Sequence, residues 1–123
     1  MLDQIKEIMQ HHPVQQAYLF GSQAHGTAGP LSDIDIAVMY AASVGVDKAE
    51  SKLFAELSQS LHTDNIDLVN IATASPLLAH RAVLRGIPLL NHLPHDTAVL
   101  KTKILHAYED TRHLRELKEA VFV

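Results

Sequence analysis

The sequence predicts an α/β protein of the α+β kind, with a small mixed β-sheet of about four strands covered by helices and a long C-terminal helix. Segments with apolar residues at helical spacing alternate along the chain with short apolar runs typical of strands. Proline and glycine residues separate these segments. The 123 residues are enough for one hydrophobic core but too few for two, so we expect a single domain over residues 1–123.

The N-terminal part predicts a helix, a strand, a turn and a second strand. Apolar residues from Leu2 to Met9 recur on one helix face, and Pro13 ends that helix. The remaining elements of this part are a strand over 16–20, one helical turn over 22–25 and a strand over 33–39.

The C-terminal part continues the alternation. Asp47 is a candidate N-cap for a helix through Leu61, and a third strand follows over 65–71. Ser75-Pro76 opens the next helix and Gly86 closes it, in keeping with the preference for proline at helix starts and glycine after helix ends. A short strand over 87–90 and a long helix over 97–121 complete the prediction.

Composition and charge exclude several classes of function. The chain carries 10 basic and 14 acidic residues, a formal net charge of -4, which argues against direct nucleic-acid binding. It has no cysteine, so neither a disulfide framework nor a thiolate metal site is expected. The N-terminal segment lacks the pattern of a signal peptide, and no apolar run approaches the roughly 20 residues that span a bilayer. We therefore expect a cytoplasmic protein without membrane contact.

Two aspartates, Asp33 and Asp35, lie among apolar residues of the predicted second strand. Acidic side chains are depleted in strands and costly to bury without a partner. Because side chains alternate between the faces of a strand, the two carboxylates point the same way, roughly 7 Å apart. Like charges so placed repel unless a cation lies between them, and hard oxygen ligands suit Mg²⁺. We favour a magnesium site over the alternative, a solvated edge strand whose charges deter aggregation.

A third acid and a glycine-serine pair extend this candidate site. Asp67 is central in the predicted third strand, and if that strand lies beside the second, it completes a three-carboxylate cluster. Such a cluster holds two ions about 4 Å apart and stabilises both oxygens of an in-line phosphoryl displacement. Gly21 lets the backbone approach a ligand, and Ser22 begins a helical turn whose free N–H groups attract phosphate, although serine is also a common helix cap. Together these residues indicate a nucleoside triphosphate site.

The spacing of these residues resembles that of a known superfamily. Gly21-Ser22, ten intervening residues and then Asp33-Ile34-Asp35 are similar to the motif of the polymerase-β-type nucleotidyltransferases, whose third carboxylate Asp67 matches. The segments SPLLAHRAVLRGIPLL and YEDTRHLREL, with the chain length, resemble most closely the minimal nucleotidyltransferase (MNT) antitoxins, which are paired with HEPN-domain ribonuclease toxins such as HepT. The resemblance covers nearly the whole chain and implies the nucleotidyltransferase fold in one minimal domain.

The resemblance also implies an activity. MNT antitoxins transfer AMP from ATP to a tyrosine hydroxyl of the toxin and so neutralise it, with pyrophosphate as the leaving group. It assigns Asp33 and Asp35 as metal ligands, and Asp67 as a ligand of the catalytic ion and proton acceptor for the attacking hydroxyl. It assigns Gly21 and Ser22 to the triphosphate. We therefore expect a protein adenylyltransferase that uses ATP and two Mg²⁺ ions and forms a hetero-oligomer with a HepT-like HEPN toxin.

The chain departs from the family pattern after the Gly-Ser pair. Many relatives carry an arginine there, whereas this chain has Gln23-Ala24-His25. Phosphate binding must then rely on backbone N–H groups, metal ions or a basic residue of a partner. We interpret Arg81 and Arg85, one turn apart on a predicted helix, as a solvated helix face rather than as ligands of phosphate or of a partner. The nine histidines show no zinc-ligand pattern.

Two other functions stay open from the sequence. A small-molecule nucleotidyltransferase, for example one that modifies an aminoglycoside, needs a way to enclose a small acceptor, and a chain of this length leaves no second domain for that purpose. An antitoxin that neutralises its partner by binding alone would have no use for three acids, whose mutual repulsion would be uncompensated. Catalysis on a protein acceptor is therefore the favoured function.

The last predicted helix is long for so small a domain. We expect its proximal apolar residues, Leu100, Ile104 and Tyr108, to pack on the sheet of this chain. We expect its distal part, residues 114–122, to contact a partner.

Overall fold

Helices and strands alternate along the chain in the computed structural model of the protein. The structure describes residues 1–26, 33–92, 94–112 and 114–116. The helices are α1 (Leu2–Met9), α2 (Ser22–His25), α3 (Val46–Leu61), α4 (Pro76–Ala79) and α5 (Pro94–Asp110). The strands are β1 (Val14–Phe20), β2 (Ile34–Tyr40), β3 (Ile66–Asn70) and β4 (Ile87–Asn91). A short 3-10 turn, Ile71–Thr73, follows β3, and a π-helical turn, His80–Leu84, continues α4.

The strands form one mixed sheet in the order β3-β2-β1-β4. β1 runs antiparallel to both β2 and β4, whereas β2 and β3 are parallel. Because of these directions, the C-terminal end of β1 and the N-terminal ends of β2 and β3 lie at the same end of the sheet. The α/β class, the mixed sheet and the long C-terminal helix that the sequence predicts are confirmed.

Helices cover both faces of the sheet, as the alternation of apolar side chains along the strands requires. α1 and α3 pack on one face, where fully buried side chains form the larger part of the core; they include Ile5, Ile36, Leu53 and Leu57. α4, its π-helical turn and α5 pack on the other face; the buried residues there include Tyr18, Ala37, Val83 and Ile104. Asp35, between Ile34 and Ile36, belongs to this second face.

The predicted strand boundaries lie within two residues of the observed ones. Asp33 precedes β2 instead of beginning it. The assignment of Asp47 as the N-cap of α3 is wrong, because Gly45 occupies that position and Asp47 lies in the first turn. A carboxylate in the first turn still interacts favourably with the N-terminal end of the helix dipole. Asp47 therefore marks the start of α3 in the sequence, although it lies two residues after the N-cap.

The C-terminal helix α5 begins earlier than predicted, at Pro94. Its proximal apolar residues pack as expected: Ile104 is buried, Leu100 is packed beside it, and the Tyr108 ring stacks on His80. Leu114 is 63% exposed, and residues 117–123 lie outside the described part of the chain, so most of the predicted partner surface over 114–122 lies there too. Within the described residues, no helix has the length and apolarity that a membrane span requires.

Candidate active site

The acidic residues of the predicted site meet where β1 ends and β2 and β3 begin. In the parallel β2–β3 pair, Asp35 lies directly opposite Asp67, so their side chains project from the same face of the sheet. Asp33 lies two residues before Asp35, immediately before β2. The N–H of Ile34, the first residue of β2, donates to the Asn65 carbonyl. Asp35 is half-buried, whereas Asp33 and Asp67 are exposed. The pairing of β3 with β2 that the sequence left conditional is therefore confirmed.

The environment of Asp35, including the neighbouring acids, changes its pKa. Burial raises the pKa of the Asp35 carboxyl above its usual range, and the negative charges of Asp67 and then Asp33 raise this pKa further. Since each cause disfavours the ionised form, the three carboxylates repel one another in the absence of a counter-charge.

Gly21 forms the turn that brings the backbone against this cluster. It follows the last residue of β1, Phe20, which lies opposite Asp35 in the antiparallel β1–β2 pair. Its φ of 73° and ψ of -154° belong to a backbone region that is essentially restricted to glycine. A Cβ atom at this position would overlap the Asp35 Oδ2 atom. The sequence therefore requires glycine here both for the backbone conformation and for the close approach of the carboxylate.

Ser22 begins the single helical turn α2, as predicted. The turn ends at Gly26, whose φ of 70° is left-handed and whose N–H donates to the Ser22 carbonyl. Gly21, not Ser22, occupies the N-cap position of α2, so the serine is not the cap of this helical turn. Ser22 is half-buried beside Gly21, at the same end of the sheet as the carboxylates.

A cleft of about 500 Å³ opens over this end of the sheet, on the face against which α4 packs. Gly21 and Asp35 line this cleft together with Arg81 and Arg85; Phe20, His25 and Leu78 complete the lining. The sequence interpretation of the two arginines as a plain solvated helix face is therefore incomplete, because both border the candidate site. Their spacing of one helical turn was the available signal, but spacing does not tell which way a helix face points.

A second groove, of about 600 Å³, lies between α3 and the outer strand β3. Asp47, Glu50 and Asp67 line it, together with Phe54 and other residues. Three acidic residues without an arginine or lysine among the lining side chains disfavour a polyphosphate. The arginine-bearing cleft is therefore the better candidate for the nucleotide, whereas Asp67 lines the acidic groove.

The donor set of the cluster fits a hard divalent cation. Carboxylate oxygens are the side-chain ligands that Mg²⁺ prefers, and a divalent charge would relieve the repulsion at Asp35. Within the described ranges, however, no three acidic, histidine or cysteine side chains form a group that could hold a metal ion, so the structure does not bring Asp33, Asp35 and Asp67 together as a three-carboxylate ligand set. Mg²⁺ commonly takes only one or two carboxylates and completes its coordination with water and substrate phosphates.

The arrangement has the elements that phosphoryl chemistry requires. Asp35, the Gly21 turn and the guanidinium groups of Arg81 and Arg85 line one cleft, and Asp67 lies opposite Asp35 in the sheet. The guanidinium groups attract a polyphosphate, a divalent cation held by carboxylates would do the same, and an exposed carboxylate such as that of Asp67 is available to accept a proton.

Comparison with known proteins agrees with this geometry. Residues 3–94 match the family described as Polymerase beta, Nucleotidyltransferase. The protein adenylyltransferase MntA of Shewanella oneidensis is 33% identical over 108 residues, which cover 88% of this chain and 73% of that protein. A solved structure of a toxin-antitoxin with AMP-PNP has a TM-score of 0.81 at 27% identity, covering 99% of this chain and 98% of its own. The toxin-antitoxin MntA-HepT has a TM-score of 0.73 at 26% identity, covering 99% of this chain and 97% of its own. The chain thus belongs to the polymerase-beta nucleotidyltransferase family, as a relative of the protein adenylyltransferase MntA.

Proposed function

We propose that this chain is the cytoplasmic antitoxin of a HEPN/MNT toxin-antitoxin pair and transfers AMP from ATP to a tyrosine hydroxyl of its HEPN toxin. As a nucleotidyltransferase, the chain acts on a nucleotide substrate. The observation that carries the proposal is the register of the sheet, which sets Asp35 opposite Asp67 beside the Gly21 turn. A relative at 33% identity is a protein adenylyltransferase, and the structural relatives are toxin-antitoxin complexes.

In this proposal each site residue has a defined role. Asp33 and Asp35 would hold Mg²⁺, and Asp67, which lies opposite Asp35 in the β2–β3 pair, would serve as a ligand of the catalytic ion. Gly21 and Ser22 hold the triphosphate of ATP. The glycine lets the backbone of this turn lie against the Asp35 carboxylate, since a Cβ would overlap the Asp35 Oδ2 atom.

The reaction is an in-line displacement at the α-phosphorus of ATP. The tyrosine oxygen of the toxin forms a bond to that phosphorus, and the bond to the β-phosphate oxygen breaks, so pyrophosphate leaves. Asp67, exposed on the outer strand, accepts the proton of the attacking hydroxyl. When bound, Mg²⁺ supplies charge neutralisation for the phosphate oxygens.

The open position of the site favours a protein acceptor. Asp33 and Asp67 are exposed, and β3 is the outermost strand of the sheet. An acceptor reaching this edge must bring its own binding surface, as a folded toxin does. Val99, Leu105 and Leu114 are exposed apolar residues of the C-terminal region and are candidate contacts for it.

The proposal is tested by incubating the purified chain with MgATP and its cognate HEPN toxin. Mass spectrometry of the toxin should show additions of about 329 Da, the mass that each transferred AMP contributes. The variants Asp33→Asn and Asp35→Asn should show no addition, whereas Asp3→Asn, the same substitution on the exposed first turn of α1, should keep it.

Each other result has a definite meaning. A stable complex with the toxin and no mass addition would replace the proposal with neutralisation by binding alone. Mass addition to an aminoglycoside but not to the toxin would replace it with a small-molecule transferase. Activity retained in both Asn variants would overturn the metal-ligand roles.

A further inference from the structure

We infer that Arg81 and Arg85 bind the β- and γ-phosphates of the nucleoside triphosphate and the pyrophosphate that leaves, in place of the basic residue that the Gly-Ser turn lacks. The inference rests on the proposed function and deepens it, because it names the residues that select a triphosphate over a monophosphate.

The position of the arginines is the first support. The π-helical turn His80–Leu84 continues α4 over the second face of the sheet and carries Arg81, with Arg85 immediately after it. Both side chains are exposed, and both line the cleft that Gly21 and Asp35 border. A phosphate tail that leaves the carboxylates along the glycine turn therefore faces two guanidinium groups.

The availability of the two guanidinium groups is the second support. Arg112 forms ion pairs with Glu109 and Glu116, and Arg115 lies over the Tyr108 ring and donates to its carbonyl. Within the described ranges, neither Arg81 nor Arg85 has an ion pair, hydrogen bond or ring contact. Two unpaired guanidinium groups in one cleft suit a phosphate, which their planar forks bind in a bidentate manner.

The charge balance of the site is the third support. Three carboxylates and a triphosphate repel one another, and each neutralising group must lie within reach of the phosphate oxygens. After the Gly21-Ser22 pair, the turn continues with Gln23, Ala24 and His25, of which His25 lines the cleft and none is an arginine or lysine. The guanidinium groups carry a positive charge at any physiological pH, so they supply this neutralisation whatever the protonation state of His25.

The arginine-bearing segment is held firmly against β1, which is the fourth support. A Cβ at Gly86 would overlap the carbonyl oxygen of Ala82 and lie 2.8 Å from that of Leu19, so the end of this segment rests directly on the strand that leads into Gly21. At its other end, the His80 ring stacks on Tyr108 of α5 with centroids 3.9 Å apart. Because both ends are packed, the backbone that carries the two arginines is held beside the cleft, and only the arginine side chains have to become ordered on binding.

The test compares nucleotides by isothermal titration of the full chain in the presence of Mg²⁺, with ATP, AMP and pyrophosphate as the three probes. Arg81→Gln and Arg85→Gln should each weaken the binding of ATP and of pyrophosphate about tenfold, the usual effect of losing a charge-assisted hydrogen bond. Binding of AMP should change by less than about threefold, since AMP lacks the phosphates concerned. Arg81→Lys should recover part of the loss, because it keeps the charge without the planar fork.

Arg112→Gln is the matched control, since it removes the same charge from an exposed arginine outside the cleft and should leave all three affinities unchanged. Unchanged ATP binding in both cleft variants, or equal losses for ATP and AMP, would overturn the inference and leave the proposed function intact. ATP binding that depends on the arginines without AMP transfer to the toxin would support the inference and overturn the proposed function. A wild-type chain that does not bind ATP would overturn both.

Discussion

Replacing Asp35 with asparagine should stabilise the metal-free protein while it abolishes AMP transfer. The side chain keeps its shape, but its charge no longer faces those of Asp67 and Asp33, which together with burial raise the pKa of Asp35. Adjacent strands lie about 4.8 Å apart, and two unit charges at that distance repel by about 1 kcal/mol in water and about 3 kcal/mol near a protein surface. Because the carboxylates are partly exposed and screened by salt, we expect a gain of about 1 to 2 kcal/mol, or about 3 to 8 °C in Tm.

The assay is thermal unfolding of the wild type and Asp35→Asn, first with a chelator and then with increasing Mg²⁺. With the chelator, the variant should unfold at the higher temperature. Added Mg²⁺ should stabilise the wild type, because a ligand that binds only the folded state raises its stability by mass action, and it should stabilise the variant much less. The two Tm values should therefore converge or cross as Mg²⁺ is added.

The pH dependence gives a second check on the same reasoning. Since the folded-state pKa of Asp35 is raised, its protonation favours the folded state, and the wild type regains stability as the pH falls through that raised pKa. The advantage of the asparagine variant in chelator should accordingly shrink between neutral pH and about pH 4, near the ordinary pKa of aspartate. A variant that is less stable than the wild type without metal, or that responds equally to Mg²⁺, would refute the electrostatic argument.

Three further substitutions test the local structure. Gly21→Ala should lower stability by about 1 to 3 kcal/mol in thermal unfolding and abolish ATP binding in titration, because it combines a glycine-only backbone with an overlap on Asp35. Gly26→Ala, at a similar φ but with no atom of the described residues within 4 Å of its Cβ, should cost about 1 kcal/mol and spare binding. Equal losses of binding in both glycine variants would contradict the role given to Gly21. Tyr40→Phe should leave stability unchanged or higher at pH 7, since within the described residues the buried Tyr40 hydroxyl has no hydrogen-bond partner. Burial, with a smaller effect of Glu50, raises the pKa of Tyr40 to about 12, so denaturant unfolding should show wild-type stability falling between pH 10 and pH 12 more steeply than that of the variant. Parallel pH curves would contradict this.

The sequence was sufficient for those parts of the site that depend on local periodicity. The alternation of side chains along a strand sets Asp33 and Asp35 on one face whatever the rest of the chain does, and Gly21 is required by its own backbone angles. The glycine-serine spacing and the strand lengths follow from the same local rules.

Features that depend on packing between elements could not be predicted in this way. The register that sets Asp35 opposite Asp67 comes from the pairing of two strands separated by α3, and no local pattern specifies it. The direction in which Arg81 points depends on how α4 docks on the sheet and on its π-helical turn, in which the rotation per residue differs from that of an α-helix. For the same reason, the first position of α3 was misassigned to Asp47, since several polar residues near a helix start carry similar capping signals.

The outermost place of β3 in the sheet has a kinetic consequence for the proposed reaction. The carboxylate assigned to accept the proton stands on the rim of the fold and is exposed, so a bulky acceptor reaches it without any part of the described chain having to swing aside.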